Sequence, residues 1–312
     1  MTKKLTVKEV LEFFNLELIN QQSAQVDLDR LIVVSDLHRP GIELAGYFNF
    51  YPSERIQILG KTELSFIDDL DSSLVRERIE LLCQEDTPCI ILTRELQVPR
   101  ELQEIASENR IPLFRSKLST TRFISKLTNY LEEQLAPTKT MSGVLVDVYG
   151  VGILIMGNSG IGKSETALEL VKKGHRLVAD DLVDLKRSAE NVLIGTAPEI
   201  IRHILEIRGI GIIDVLRLFG AGAVKKYKKI TLVVTLEMWD QTKEYDRLGL
   251  DEVKINILDV ELPINTIPVR PGRNIAVIIE VMAMNYRLKS TGYNAAKEFT
   301  DRLAEKMKID LD

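Results

Sequence analysis

Gly157-Asn158-Ser159-Gly160-Ile161-Gly162-Lys163-Ser164 follows the phosphate-loop template: a glycine, four residues, then Gly-Lys-Ser. Glycines permit the tight turns that aim successive backbone N–H groups at phosphate oxygens. The motif places the Lys163 ammonium on the outer phosphates and the Ser164 hydroxyl on Mg2+. Its flanks fit the same reading. Residues 143–156 (GVLVDVYGVGILIM) are two β-branched runs turning at Tyr149-Gly150, which predicts a hairpin ending in a buried strand. Residues 164–173 (SETALELVKK) carry apolar Ala167, Leu168, Leu170 and Val171 at helical spacing and stop at Gly174. Strand, glycine loop and helix together direct a helix N-terminus at an anion.

The chain has 312 residues, enough for two domains, and its 45% hydrophobic and 28% charged content is that of a globular protein. The whole net charge of −5 falls in residues 1–140, while 141–312 is balanced, so the phosphate-loop half does not repel a nucleotide. No basic footprint for nucleic acid emerges. The dense basic run Lys225-Lys226-Tyr227-Lys228-Lys229 is expected to be a solvated turn before a strand at 230–236. Cys83 and Cys89 lack metal or redox spacing and are expected as free thiols in a reducing compartment. With no signal-peptide pattern at the start and no apolar run of about 18 residues, the expectation is a cytoplasmic protein without a membrane span.

Residues 1–130 alternate helical and strand patterns: helices at 7–14, 73–83, 100–109 and 119–134, strands at 31–34, 56–59, 89–93 and 111–114. Such alternation predicts a small α/β domain. Arg39-Pro40-Gly41 reads as a structural corner, and no chemical constellation stands out in this half. Ala136-Pro137-Thr138-Lys139-Thr140 is the linker candidate, because proline ends a helix. The expected domains are 1–134 and 135–312.

Beyond the loop helix, residues 174–181 (GHRLVADD) form a short apolar strand ending in two carboxylates. These carboxylates either help hold a metal near the phosphates or cap the next element of the chain. Alternation along a strand allows only one of Asp180 and Asp181 to face the phosphates directly, unless a loop turns the second. His175 is expected to be structural. Leu205-Glu206-Ile207-Arg208-Gly209-Ile210-Gly211-Ile212-Ile213-Asp214 reads as one glycine-bent strand with Glu206 and Arg208 on a shared face. That pair is either a buried salt bridge or a metal-and-phosphate clamp. Pro268-Val269-Arg270-Pro271-Gly272-Arg273 sets two arginines on a stiff loop suited to an oxyanion. Helices at 274–288 and 295–307 complete the chain.

In GVLVDVYGVGILI, GNSGIGKSETALELV, GHRLVADD, LEIRGIGIID, YDRLG, IPVRPGRN and AMNYR, in that order over nearly the whole chain, the sequence resembles bacterial HPr kinase/phosphorylase. The resemblance implies a small N-terminal α/β domain followed by a phosphate-loop kinase domain with a mixed sheet. It implies phosphorylation of a serine on the phosphocarrier HPr from ATP or pyrophosphate with Mg2+. It also implies phosphorolysis of that serine phosphate by inorganic phosphate, releasing pyrophosphate, in the control of carbon catabolite repression. Carried over by position, residues 157–164 bind nucleotide, Lys163 and Arg247 are catalytic, and Asp181 is the base forward and the acid in reverse. Ser164 and Glu206 are tied to Mg2+, residues 205–214 to phosphoryl transfer, and 268–273 to phosphorolysis. A homohexamer assembled through the phosphate-loop domains, with C-terminal helices helping to hold HPr, completes the implied picture.

Two positions depart from the family pattern. Ser142 stands where the family has histidine, and Asn158 where it has aspartate. Serine cannot titrate near neutrality as histidine does, so the balance of the two activities is expected to differ from the family norm. The alternatives are a divergent paralogue, a nucleotide-binding regulatory sensor and a small-molecule phosphotransferase.

Overall fold

Short Ile- and Leu-rich runs, bounded by turn residues and separated by amphipathic helices, set the architecture of the first half of the chain. The computed structural model describes residues 4–20, 26–189, 191–245 and 253–309. The chain divides into two compact units, Thr2–Ala136 and Pro137–Asp312.

The first unit runs β1 (Leu5–Thr6), α1 (Val7–Phe14), β2 (Glu17–Leu18), β3 (Leu31–Ile32), β4 (Leu37–His38), α2 (Gly41–Leu44), β5 (Ile56–Leu59), α3 (Lys61–Asp68), α4 (Ser72–Leu82), β6 (Ile90–Leu92), α5 (Arg100–Glu108), β7 (Leu113–Arg115) and α6 (Thr120–Leu135). Strands β4, β5, β6 and β7 are parallel neighbours, and β2 closes one edge antiparallel to β7. Parallel strands covered on both faces need unbroken apolar runs. Accordingly Ile58, Ile91 and Phe114 pack with Phe123 and Leu127 of α6, while Leu59, Ile90, Leu92 and Leu113 pack with α4 and α5 on the other face. The α1 helix begins at a capping box, with the Glu9 carboxylate accepting from the Thr6 N–H at 2.8 Å. Cys83 and Cys89 are buried free thiols, and burial pushes the Cys83 thiol up to about 12.

The second unit runs β8 (Thr138–Ser142), β9 (Val144–Val148), β10 (Val151–Gly157), α7 (Lys163–Lys172), β11 (Arg176–Ala179), β12 (Leu182–Ala189), β13 (Val192–Thr196), β14 (Ile204–Ile207), β15 (Gly211–Asp214), α8 (Val215–Phe219), β16 (Tyr227–Lys229), β17 (Leu232–Met238), β18 (Lys254–Ile257), β19 (Val260–Val269), α9 (Ile275–Ser290) and α10 (Ala295–Ile309). Six strands form a mixed sheet in the order β11-β9-β10-β17-β19-β18. Its heart is the parallel trio β10, β17 and β19, with Gly157 opposite Leu236 and Leu236 opposite Ile267. One face carries Val146, Ile153, Ile155 and Val234 against Ala167 and Leu170 of α7 and Ala276, Ile279 and Ala283 of α9. The other face sets Leu145, Leu154 and Val233 against Val183, Leu185 and Leu193 of a second, antiparallel sheet ordered β16-β13-β12-β8. Alternation of side chains along β9 and β10 thus feeds two cores at once. The β9–β10 turn is of the primed kind, with φ of 50° at Tyr149 and 84° at Gly150.

Three expectations are corrected. Residues 138–140 are not linker: Thr138–Ser142 pairs with β12, because the chain past Pro137 supplies the edge strand that the second sheet lacks. Residues 205–214 are a hairpin of two strands rather than one, since Gly209 and Gly211 adopt φ of 86° and 96° and reverse the chain. The basic run is not a solvated turn. Tyr227–Lys229 pairs with β13, and the Lys225 and Lys228 ammonium groups each sit 3.0 Å from the carboxylate of buried Asp147 on β9.

Burial alone would push the Asp147 carboxyl up, but the two lysines outweigh it and hold the group below the usual carboxylate range. A folded-state pKa below the unfolded one adds stability above the unfolded value near 3.9, lost as pH falls through the folded value. Asp147→Asn should therefore cost about 1.5–3 kcal/mol at pH 7. In urea titrations the difference from the parent chain should close below about pH 4; a constant difference down to pH 3 would contradict the ion-pair account.

Candidate active site

Gly157 ends β10 with φ of 145°, and a Cβ there would meet the Leu236 carbonyl oxygen at 2.5 Å, so only glycine lets the chain leave the sheet beside β17. Gly160 and Gly162 follow at φ of 78° and 101°, and Gly162 caps α7. The N–H groups of the first turn of α7 thus open toward the loop. Lys163 folds back over that loop, its ammonium donating to the Gly157 and Asn158 carbonyls at 2.9 and 3.0 Å.

Ser164 donates its hydroxyl to Asp180 Oδ1 at 2.9 Å, and the Glu206 N–H donates to Asp180 Oδ2 at 3.2 Å. Asp180 is only 4% exposed, so loop helix, strand end and β14 meet on one buried carboxylate. Burial drives its carboxyl above the ordinary aspartate value, while the Ser164 hydroxyl and two backbone N–H groups pull the other way. Asp181 follows in a left-handed turn, with φ of 64°, and is exposed. The turn is held by the Gly143 N–H on the Asp181 carbonyl at 2.9 Å, and Ser142 pairs directly opposite Leu182. Both aspartates lie past the end of β11, and the left-handed turn at Asp181 takes it out of the alternation that the strand would impose.

Glu206 and Arg208 do not pair. The Glu206 side chain is exposed and makes no ion pair among the described residues. The Arg208 guanidinium instead lies on the phosphate loop: a Cβ on Gly160 would be 2.5 Å from Nη1, and Nη2 donates to Ser159 Oγ at 3.4 Å. Of the two readings of this pair, the buried salt bridge falls away. Residues 270–273 form a type II turn, with Pro271 and then Gly272 at φ of 82° and the Arg273 N–H on the Arg270 carbonyl at 3.2 Å. The Arg273 guanidinium donates to the Pro268 carbonyl at 3.0 Å. Just after it, Asn274 caps α9 and donates to Glu169 Oε1 of α7 at 2.6 Å. His175 is structural, as expected: buried, and 3.0 Å from Glu280 of α9. Arg247 lies outside the described residues.

Hydroxyl, carboxylate and phosphate oxygens are the hard donors that suit Mg2+. The buried Asp180 carboxylate faces only neutral donors, which leaves room for a cation beside Ser164. Among the described residues no group of three or more His, Cys, Asp or Glu forms a metal cage. Mg2+ held by one or two carboxylates and substrate phosphates needs none. Sequence reasoning did not foresee which carboxylate would bind Ser164, nor that Ser142 would stand beside Asp181; both depend on pairing between distant strands.

Residues 5–131 match the family model described as HPr Serine kinase N terminus, and 133–303 the model of the HPr Serine kinase C-terminal domain. The chain belongs to the HPr kinase/phosphorylase family. It is 58% identical to the HPr kinase/phosphorylase of Bacillus pumilus over 97% of this chain and 96% of that one. Identity to the HPr kinase/phosphorylase of Bacillus cytotoxicus is also 58%, over 98% of both chains. A solved HPr(Ser) kinase/phosphatase from Coxiella burnetii is 37% identical, covering 52% of this chain and 98% of that one, with a TM-score of 0.46. The two-domain arrangement expected of the family is present, and membership of a kinase family implies a nucleotide substrate. Among the described residues no helix is long and apolar enough to cross a membrane.

Gly160→Ala tests the loop. The new methyl would displace the flexible end of Arg208 and strain one positive φ, so the chain should still fold, with a melting temperature lowered by only a few degrees. Pyrophosphate affinity, read by calorimetry, should fall at least tenfold, a loss of about 1.4 kcal/mol. Unaltered affinity would remove Arg208 from the phosphate cradle.

Proposed function

We propose that this chain phosphorylates a serine of HPr, using ATP or pyrophosphate with Mg2+, and reverses the reaction with inorganic phosphate to release pyrophosphate. The observation that carries this reading is the union at Asp180. The phosphate-loop hydroxyl is locked to a buried carboxylate, and the very next residue, Asp181, is exposed to solvent and free to meet an incoming hydroxyl.

In this reading the N–H groups of residues 157–164 and the Lys163 ammonium hold the outer phosphates. Lys163 has only to leave two loop carbonyls to do so. Ser164 and Glu206 would hold Mg2+, with Asp180 orienting Ser164 and tethering the Glu206 backbone. The bound ion supplies charge neutralisation between the phosphoryl groups. Arg208 adds a cation over the loop. Asp181 accepts the proton of the HPr serine hydroxyl as the serine oxygen attacks the terminal phosphorus and the bond from that phosphorus to ADP, or to phosphate when pyrophosphate is the donor, breaks. In reverse it returns that proton to the serine oxygen while an oxygen of inorganic phosphate takes the phosphoryl group. Arg247 is assigned a catalytic role by family position, and residues 205–214 and 268–273 the transfer and phosphorolysis roles. Val277, Val281, Met284 and Leu288 leave an apolar stripe uncovered along α9. That stripe supports a protein partner at the C-terminal helices, whether HPr or another subunit of a homohexamer.

The decisive assay mixes the chain with HPr, ATP and Mg2+, follows serine phosphate, then adds phosphate and follows pyrophosphate. A sensor without catalysis would give neither product. Asp181→Asn should bind nucleotide as before and lose about 100- to 10,000-fold in turnover in both directions; collapse of nucleotide affinity would make Asp181 a metal ligand instead.

Ser142 offers a separate check. With serine beside Asp181, the ratio of phosphorylation to phosphorolysis should vary little between pH 6 and 8. Ser142→His should introduce a titration near pH 6.5 into that ratio, and superimposable profiles would refute a tuning role for the position.

A further inference from the structure

The strands β10, β17 and β19 run parallel and in register, so the phosphate loop after Gly157, the residues after Met238 and the loop after Val269 emerge at one end of the sheet. Neighbouring strands lie about 4.8 Å apart, which puts Ile267 of β19 about 10 Å across the sheet from Gly157, and β19 continues two residues further before the arginine turn. Between them, at the end of β17, stands Trp239, the only tryptophan of the chain. It is 41% exposed, far from the packing usual for so large an apolar side chain.

The neighbours of Trp239 account for its place. Its backbone N–H donates to the Val269 carbonyl at 3.0 Å, which extends the pairing of β17 and β19 up to the turn 270–273. The Arg270 guanidinium lies over its ring at 5.2 Å. Tyr245 stacks on it with ring centroids 5.1 Å apart and planes inclined by 23°, and the Tyr245 hydroxyl in turn accepts from the Asp240 N–H at 3.2 Å. Lys243 is held by Glu237 at 2.8 Å. Arg270 makes no ion pair with a described carboxylate, so the indole face is the partner that fixes its direction.

We propose that Trp239 is a positioning residue: its indole face seats Arg270 and thereby sets the turn 270–273 beside the phosphate cradle for capture of inorganic phosphate. This rests on the function proposed above, in which residues 268–273 serve phosphorolysis. A guanidinium on an exposed aromatic face gains enough to shift the seated fraction about two- to fivefold. The consequence is directional. Phosphorolysis must collect a free phosphate ion and depends on the seated arginine, whereas phosphorylation brings its phosphoryl group already tethered to the bound nucleotide.

The test compares the full-length chain with Trp239→Leu and Trp239→Phe in both reactions on HPr. Trp239→Leu keeps apolar bulk without a π face; the KM for inorganic phosphate should rise about two- to fivefold, with a smaller change in the phosphorylation rate. Trp239→Phe, which keeps an aromatic face, should restore it. Equal losses in both directions, or failure of phenylalanine to rescue, would overturn the proposal. A second measurement needs no activity: because Trp239 is the sole tryptophan, its emission in the unliganded protein reports on the guanidinium above it. Arg270→Met should change that emission, and an unchanged spectrum would sink the contact. A parent chain inactive on HPr would count against the function proposed above, whereas the emission comparison bears on Trp239 alone.

Discussion

Asp180 is a buried carboxylate on which three separate stretches of chain depend. It accepts from the Ser164 hydroxyl at the start of α7 and from the Glu206 N–H in β14, while its own strand, β11, runs along the edge of the main sheet. A buried charge held only by neutral donors is costly unless a cation completes the set. That cost is evident in the raised carboxyl of Asp180. The loop, the hairpin and the strand end are therefore registered to one another around a point where positive charge is wanted, which is the requirement for handling a polyphosphate.

The sheet supplies the rest of the geometry. Its parallel trio delivers the phosphate loop, Trp239 and the arginine turn to one edge, as open sheets deliver ligand-binding loops to the carboxyl ends of their strands. The opposite face of the same strands is occupied by the antiparallel sheet, whose edge strand β8 carries Ser142 to the side of Asp181. Ser142 is thus a close neighbour along the backbone of the residue proposed for proton transfer. At the far end of α7, Lys173 and His175 hold Glu280, and in its second half Glu169 accepts from Asn274. The C-terminal half of the phosphate-loop helix is thus tied to α9.

The elements most legible in the sequence are those whose information is local. The hairpin over residues 143–156 is written in its β-branched runs and in Tyr149-Gly150, and the loop helix in its apolar spacing and in Gly174. Helix α1 is legible to the residue, and most other N-terminal elements to within one or two. Short edge strands such as β2, β4 and β8 are not legible, because two to five residues carry no period and their strand character comes from a partner. The linker reading of 138–140 and the solvated reading of Lys225–Lys229 fail for the same reason: each stretch is polar, and each is held by residues that lie tens of positions away.

Residue order alone settled the phosphate loop, the family and the identities of the charged groups available to the site, because a loop motif is a matter of glycine φ values and adjacent side chains. Tertiary structure decided what those groups do to one another. Whether Asp180 or Asp181 meets Ser164, whether Arg208 pairs with Glu206 or lies over the loop, and whether Arg270 finds an aromatic seat are questions of distance between segments 16 to 49 residues apart. Charge and hydrogen-bond energies fall steeply over a few ångströms, and spacing along a chain does not report separations that only packing creates.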